Sequence, residues 1–567
     1  MERKTPTDAI QKGEFFYLMK NKAVIGLSQP NGKNIQYLHQ NGRMPMAARL
    51  NGNIENEEML SLLTTAQGFR KLVAGVGISA ELAEDTKASA DKTLFCFQFY
   101  GKTDPYVSGT TFSKEVPLTG VEEYIDLSKV DWSEDDDIPG QIRFEFDVPE
   151  VTASVTVKLY LQPGYDAPEP IPDRKMDLSS EGYKTMIARS VMNYGNLSRI
   201  QKAMDDARAG KEVTIAFIGG SITQGAGAIP INSKCYSYLT FVRFCEICGK
   251  RTDENIKFIK VGVGGTPSEL GILRYDRDIT KNGEIKPDIV IVEFAVNDAD
   301  DETRGNCFES LVKKIMKGEN SPAVMIPFMV FADDFNLQDR LAPVGFRYNL
   351  PMVSLKNAVL PEFYLIDKDK ALIAKNEYFY DQFHPTNSGH IIAADCIAEI
   401  FRAADRYARK DVPVKLDVKP AIGNDFEDLI FFDAKDAFEG AVIDPGDFTG
   451  TDKDLQAVEM NFDLSLTPEL PYNWQHISGN KGFRLKIRCS KLFIIFKDSS
   501  SPEFGNAEIL DNDKILFTMN SRNVGWTHCH AKLVFNEAET ADHEVVIRMA
   551  EGDENKRFTI LGFGAVR

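Results

Sequence analysis

Cysteine is scarce in this chain: eight residues in 567, scattered along its length. So thin a supply builds no disulfide scaffold and fits a reducing compartment. Histidine is scarcer still at seven, and tryptophan is limited to three, so each of these side chains can be placed individually. No apolar run approaches the ~18 residues of a membrane-spanning helix. The longest, around residues 324–332, contains Pro327. No apolar stretch follows the N-terminal MERKTPTDAIQKGEFF, as a secretory signal would require. The chain as given reads as cytoplasmic. Positive charge is in deficit too: 66 Lys and Arg against 84 Asp and Glu leave a net charge of −18. Such a surface repels phosphate backbones and anionic lipid, so neither nucleic acid nor a membrane surface is an expected partner.

What is present is an ordinary globular composition, 43% apolar and 26% charged. At about 100 to 200 residues per domain the length suggests three domains. Residues 1–172 carry short β-rich runs, such as 94–100 and 141–146, between turns rich in Gly, Pro and Asp. They predict an all-β sandwich with one helical patch over 57–72. The proline-dense stretch 162–173 is a linker. Within 179–410, apolar runs of strand length (213–218, 256–261, 288–294, 323–330) alternate with helical stretches (235–249, 268–280, 307–317, 390–408). Continuously apolar strands alternating with helices predict a doubly wound α/β domain. Its parallel sheet is covered on both faces, and its site lies at the carboxyl ends of the strands. Over 418–567 the β pattern returns and predicts a second sandwich.

Four segments of the central region carry chemistry. In the first, a buried strand runs into Gly219-Gly220-Ser221. The glycines permit a sharp exit that presents the Ser221 hydroxyl and backbone N–H at the strand's end. A glycine-rich turn with a capping serine fits this segment equally well. A phosphate-binding loop does not, because Ala226 stands where a lysine would follow Gly225. The second segment is Val261-Gly262-Val263-Gly264-Gly265-Thr266-Pro267-Ser268, where Gly264 lets backbone N–H groups approach a ligand and a plain βα turn is the alternative. The third strand ends at Asn297, whose amide can donate to an oxyanion or close an Asx turn. In the fourth, Asp381 and His384 lie three apart, a spacing that sets a carboxylate against an imidazole. His390 falls inside the following helical stretch and reads as a packing or capping residue.

Taken together, these four segments resemble the SGNH hydrolase superfamily, also called GDSL-type esterases, over about 225 residues from Val213 to the Tyr407 region. The segments Gly-Gly-Ser221-Ile-Thr, Gly264-Gly-Thr-Pro-Ser and Val-Glu-Phe-Ala-Val-Asn297-Asp look like a bacterial subgroup related to carbohydrate esterases. The family's Gly-Asp-Ser lacks its Asp here, and its Gly-x-Asn is Ala295-Val296-Asn297. The resemblance implies a flavodoxin-like central domain. It implies Ser221 as nucleophile, His384 as base and Asp381 as its orienter. The backbone N–H groups of Ser221 and Gly264 and the Asn297 amide would form an oxyanion hole. No cofactor or metal is implied.

Other features have blander readings. Cys245 and Cys248 have redox or zinc spacing but sit in a helical stretch without a second pair. Residues 134–137 form an acidic loop that lacks the glycine-centred pattern of a calcium site. Arg274 is a candidate substrate contact, with a surface salt bridge as the alternative. Trp132, Trp474 and Trp526 are candidate sugar platforms or core residues. The expected function is an esterase that removes small acyl groups, acetyl above all, from oligosaccharides through an acyl-enzyme. The flanking sandwiches look like carbohydrate-binding or jelly-roll modules. A lipid esterase or acyl thioesterase with the same mechanism is the alternative. A binding protein with a silent core is disfavoured by the intact Ser221, Asn297, Asp381 and His384.

Overall fold

The computed structural model describes residues 13–567 apart from 30, 39–41, 175, 368–369, 410–411, 437 and 459–468. Most of the N-terminal stretch read for a secretory signal lies outside the described residues. The chain divides into two units. One comprises residues 1–177, 227–233 and 362–389; the other comprises 178–226, 234–361 and 390–567.

The first unit holds two four-stranded antiparallel sheets. One orders its strands Phe15–Ile25, Thr152–Leu161, Val73–Leu82, Glu123–Asp126, and the other Asn34–Leu38, Asp136–Phe146, Lys92–Gly101, Thr111–Pro117. Alternation along Thr152–Leu161 explains the packing. Val155, Val157 and Leu159 are buried, and the residues between them reach the surface in part. Phe95, Phe97, Phe99 and Phe144 fill the same core. The helical patch resolves into two helices, Glu57–Leu62 capped by Asn56 and Ala66–Leu72 capped by Thr65. A third, Met44–Gly52, carries a proline in its first turn, where a missing N–H costs nothing.

The second unit contains a six-stranded sheet ordered Ile256–Gly262, Val213–Gly219, Ile289–Glu293, Ala323–Phe328, Met352–Ser354, Val191–Asn193. The first five strands run parallel, and the last pairs antiparallel at the edge. Every residue of Val213–Gly219 and of Ile289–Glu293 is buried, as a sheet covered on both faces demands. Helices Tyr236–Cys248, Ser268–Asp278, Asn306–Met316 and Asn387–Arg406 stand where the periodicity places them.

The C-terminal region differs in detail from two separate sheets. Its strands form one eight-stranded hydrogen-bonded network, built on the long strands Phe483–Asp498 and His528–Met549 with bulges at residues 489–491 and 492–493. Burial along Phe483–Asp498 alternates in the first half and is continuous in the second. The reason is a shared core. Phe493, Ile495, Cys529 and Leu561 pack in one cluster with Leu270 and Leu273 of helix Ser268–Asp278. Contact is so close at Gly564 that a Cβ there would lie 2.0 Å from Leu273 Cδ2. The C-terminal sheet is thus built onto the helix that follows the Gly264 loop.

Candidate active site

In the second unit, Ser221 opens the short helix Ser221–Gln224 directly after strand Val213–Gly219 and is partly exposed. The first N–H groups of a helix have no partner within it, so the Ser221 backbone N–H is directed out of the helix. Gly220 is required by its neighbour. A Cβ at that position would meet the Asn297 side chain, 2.1 Å from Oδ1. The Asn297 amide therefore lies directly against the backbone that precedes Ser221. Its Oδ1 is buried with no hydrogen-bond partner among the described residues. Gly264 is buried in the loop after strand Ile256–Gly262, while Gly265 is exposed and adopts φ +71°.

Three contacts hold these loops together. The Val263 N–H donates to the Gly219 carbonyl at 3.1 Å. Arg274, 3% exposed, donates to the carbonyls of Gly219 and Val261 at 3.1 and 2.6 Å and to Asp278 at 3.2 Å. The carboxylate of Asp298, next to Asn297, accepts from the N–H and Oγ of Ser268 at 2.7 and 2.8 Å. The Asn297 and Gly264 loops are therefore coupled by a buried carboxylate. Burial first, then the charge of Asp301, pushes Asp298 up to about 7. Glu293, at the end of its strand, is pushed by burial up to about 8 and accepts from Thr223 Oγ1 at 3.1 Å. Both acids stood in the segment that drew attention to Asn297, but nothing in their spacing showed that they were buried.

The first unit carries Asp381 and His384. Burial of Asp381 opposes its charge. The His384 charge, the His384 hydrogen bond and two backbone N–H groups outweigh it and hold the carboxyl far below the ordinary range. Asp381 Oδ2 lies 2.8 Å from His384 Nδ1, while Oδ1 accepts from the N–H groups of Phe383 and His384 at 2.7 and 2.9 Å. The loop closes on itself where the Tyr380 N–H donates to the His384 carbonyl at 2.7 Å. Gly227, at φ +87°, packs so tightly here that a Cβ would lie 2.1 Å from the Pro385 carbonyl and 3.1 Å from His384 Cβ. With Nδ1 engaged by a carboxylate, Nε2 is the nitrogen able to take up a proton.

Residues 217–392 match the GDSL-like lipase/acylhydrolase family. Over this central segment the chain is similar to that family. The protein is accordingly a carboxylic ester hydrolase. The fold is similar to that of a two-domain esterase (CEX) active on acetylated mannans, with 24% identity and a TM-score of 0.57 over 67% of this chain and 99% of that one. The same esterase co-crystallised with mannopentaose gives 24% identity and a TM-score of 0.56 over 67% and 98% of the two chains. No curated protein matches the chain in sequence.

The remaining candidates of the hydrolase find places in its fold. Cys245 and Cys248 are buried and free in helix Tyr236–Cys248. Within the acidic loop, Asp135 and Asp136 are taken up by Thr103, Ser108 and Thr110. Among the described residues no group of acids, histidines and cysteines could hold a metal ion. Arg274 is spent on main-chain carbonyls inside the GDSL-like segment rather than at its surface. His390 packs as expected: its Nδ1 accepts from the Tyr236 N–H, and its Nε2 donates to the Ala226 carbonyl, both at 3.1 Å. Trp132 packs against Phe99 and Phe112, and Trp474 against Phe483 and Phe563. Trp526 differs. Its ring occupies the space beside Gly265, 2.5 Å from where a Cβ would sit, and it is partly exposed. Next to it, His528 Nε2 donates to the Gly265 carbonyl at 2.9 Å. The C-terminal region thus braces the Gly264 loop, a contact 263 residues apart in sequence.

Proposed function

We propose that the protein is a serine esterase that removes acetyl groups from carbohydrate through an acyl-enzyme. The Asp381–His384 pair carries this reading. Its carboxylate is fixed by two backbone N–H groups on one oxygen and meets the imidazole with the other. His384 Nε2 takes the proton of Ser221 as Oγ attacks the ester carbonyl, because a serine hydroxyl is too weak a nucleophile alone. The negative charge that develops on the carbonyl oxygen is met by the N–H groups of Ser221 and Gly264 and by the Asn297 amide. The imidazolium then protonates the departing sugar alcohol. Water, deprotonated by the same imidazole, releases acetate and restores Ser221.

Two observations support a carbohydrate substrate. The structurally similar esterase is active on acetylated mannans, and the partly exposed Trp526 ring stands beside the Gly264–Gly265 loop, an apolar face suited to a sugar ring. The test is mass spectrometry of acetylated manno-oligosaccharides before and after incubation, beside a chain-length series of nitrophenyl esters. Loss of acetyl mass with turnover falling steeply beyond short acyl chains is the expected result. Unchanged oligosaccharides with rapid cleavage of long-chain esters would transfer the protein to lipid or acyl-thioester substrates.

A further inference from the structure

Strand Phe15–Ile25 contains a lysine that the reaction above does not use. The strand's register against Thr152–Leu161 breaks between Met19 and Lys22, and Asn21 adopts a left-handed φ of +50°. A bulge of this kind re-aims the side chain that follows it. Lys22 is 3% exposed. Its Nζ donates to the carbonyls of Asn376 and Phe379 at 2.6 and 2.5 Å, both in the segment leading to Asp381. The adjacent Ala23 carbonyl accepts from Tyr380 Oη at 3.2 Å. The charged groups that face the ammonium are Asp381 and Glu377. Glu377 is already occupied, accepting from the N–H groups of Arg174 and Ala374 at 2.5 and 2.8 Å.

We propose that Lys22 is a positioning residue for the acid–base pair: its buried Nζ ties down the loop that bears Asp381 and His384. The proposal rests on the reading of His384 as the base.

The cation is held at a cost. Burial, against the pull of Asp381 and Glu377, lowers Lys22 from 10.5 to about 7. Its protonation therefore favours the unfolded chain. That penalty is full below pH 7 and is relieved as the pH rises toward 10.5. An apolar side chain of similar length would fill the space without it. A group retained against stability beside an acid–base pair points to a role in that pair.

The experiment is steady-state kinetics on nitrophenyl acetate with Lys22→Gln, Lys22→Met and Lys22→Arg. In the first two, kcat is expected to fall about tenfold with KM within about twofold, because a loosened loop misplaces the base without touching the substrate. Lys22→Arg, which keeps donors for the Asn376 and Phe379 carbonyls, should recover most of the loss. Lys22→Gln keeps a donor for one carbonyl and covers the case in which Lys22→Met does not fold. Parental kcat in folded Lys22→Gln would overturn the proposal, as would a loss carried wholly by KM. The hydrolase reading fails separately if Ser221→Ala retains activity.

Discussion

Replacing Ser221 with alanine is expected to abolish ester hydrolysis, with kcat on nitrophenyl acetate falling at least ~10⁴-fold. On the proposed mechanism the reason is covalent. Without Oγ no acyl-enzyme forms, and water would have to attack the ester directly, aided only by the oxyanion donors. The fold should be indifferent. Ser221 is the first residue of a four-residue helix, and alanine suits a helical position. The melting temperature should therefore stay within a degree or two while activity vanishes. A folded Ser221→Ala protein with parental turnover would remove the nucleophile from the account.

Asp381→Asn is the second large effect, and its direction follows from the hydrogen bonds. Two N–H groups, of Phe383 and His384, donate to Oδ1. An asparagine must keep its carbonyl oxygen there, because an NH₂ would face two donors. Its NH₂ then faces His384 Nδ1, which must accept rather than donate. The imidazole proton is driven onto Nε2, the nitrogen that in the proposed mechanism takes the Ser221 proton. Such a tautomer error costs about 10⁴-fold in kcat in serine–histidine–aspartate sites, with KM little changed. Steady-state kinetics checks it, and the NMR tautomer of His384 gives a second readout. A loss below tenfold would mean that Asp381 merely fills space.

The central sheet was legible because fully buried strands read as continuous apolar runs and the helices between them are long. Val191–Asn193 and Met352–Ser354 were not, since three residues carry no periodicity. Met44–Gly52 escaped because its surroundings read as β, although Pro45 marks a helix start. As candidates, Ser221, Gly264, Asn297 and Asp381-x-x-His384 were legible because each falls at a strand or helix boundary of the sequence pattern. What they rest on did not. The Asn297 amide explains Gly220 only once the two are side by side. The braces at His528 and Lys22 come from chain 263 and more than 350 residues away, where local pattern has nothing to report. Asp298 was visible as a residue and invisible as the clamp on Ser268, because burial, not spacing, gives it that use.

Reaction with a serine-directed fluorophosphonate, followed by intact mass and peptide mapping, tests the central claim most directly. Such reagents phosphonylate a serine that a neighbouring base has activated. One adduct, on Ser221, is expected, forming about 10²- to 10⁴-fold more slowly when His384 is replaced by glutamine. Labelling elsewhere, or labelling of Ser221 at the same rate without His384, would contradict the account.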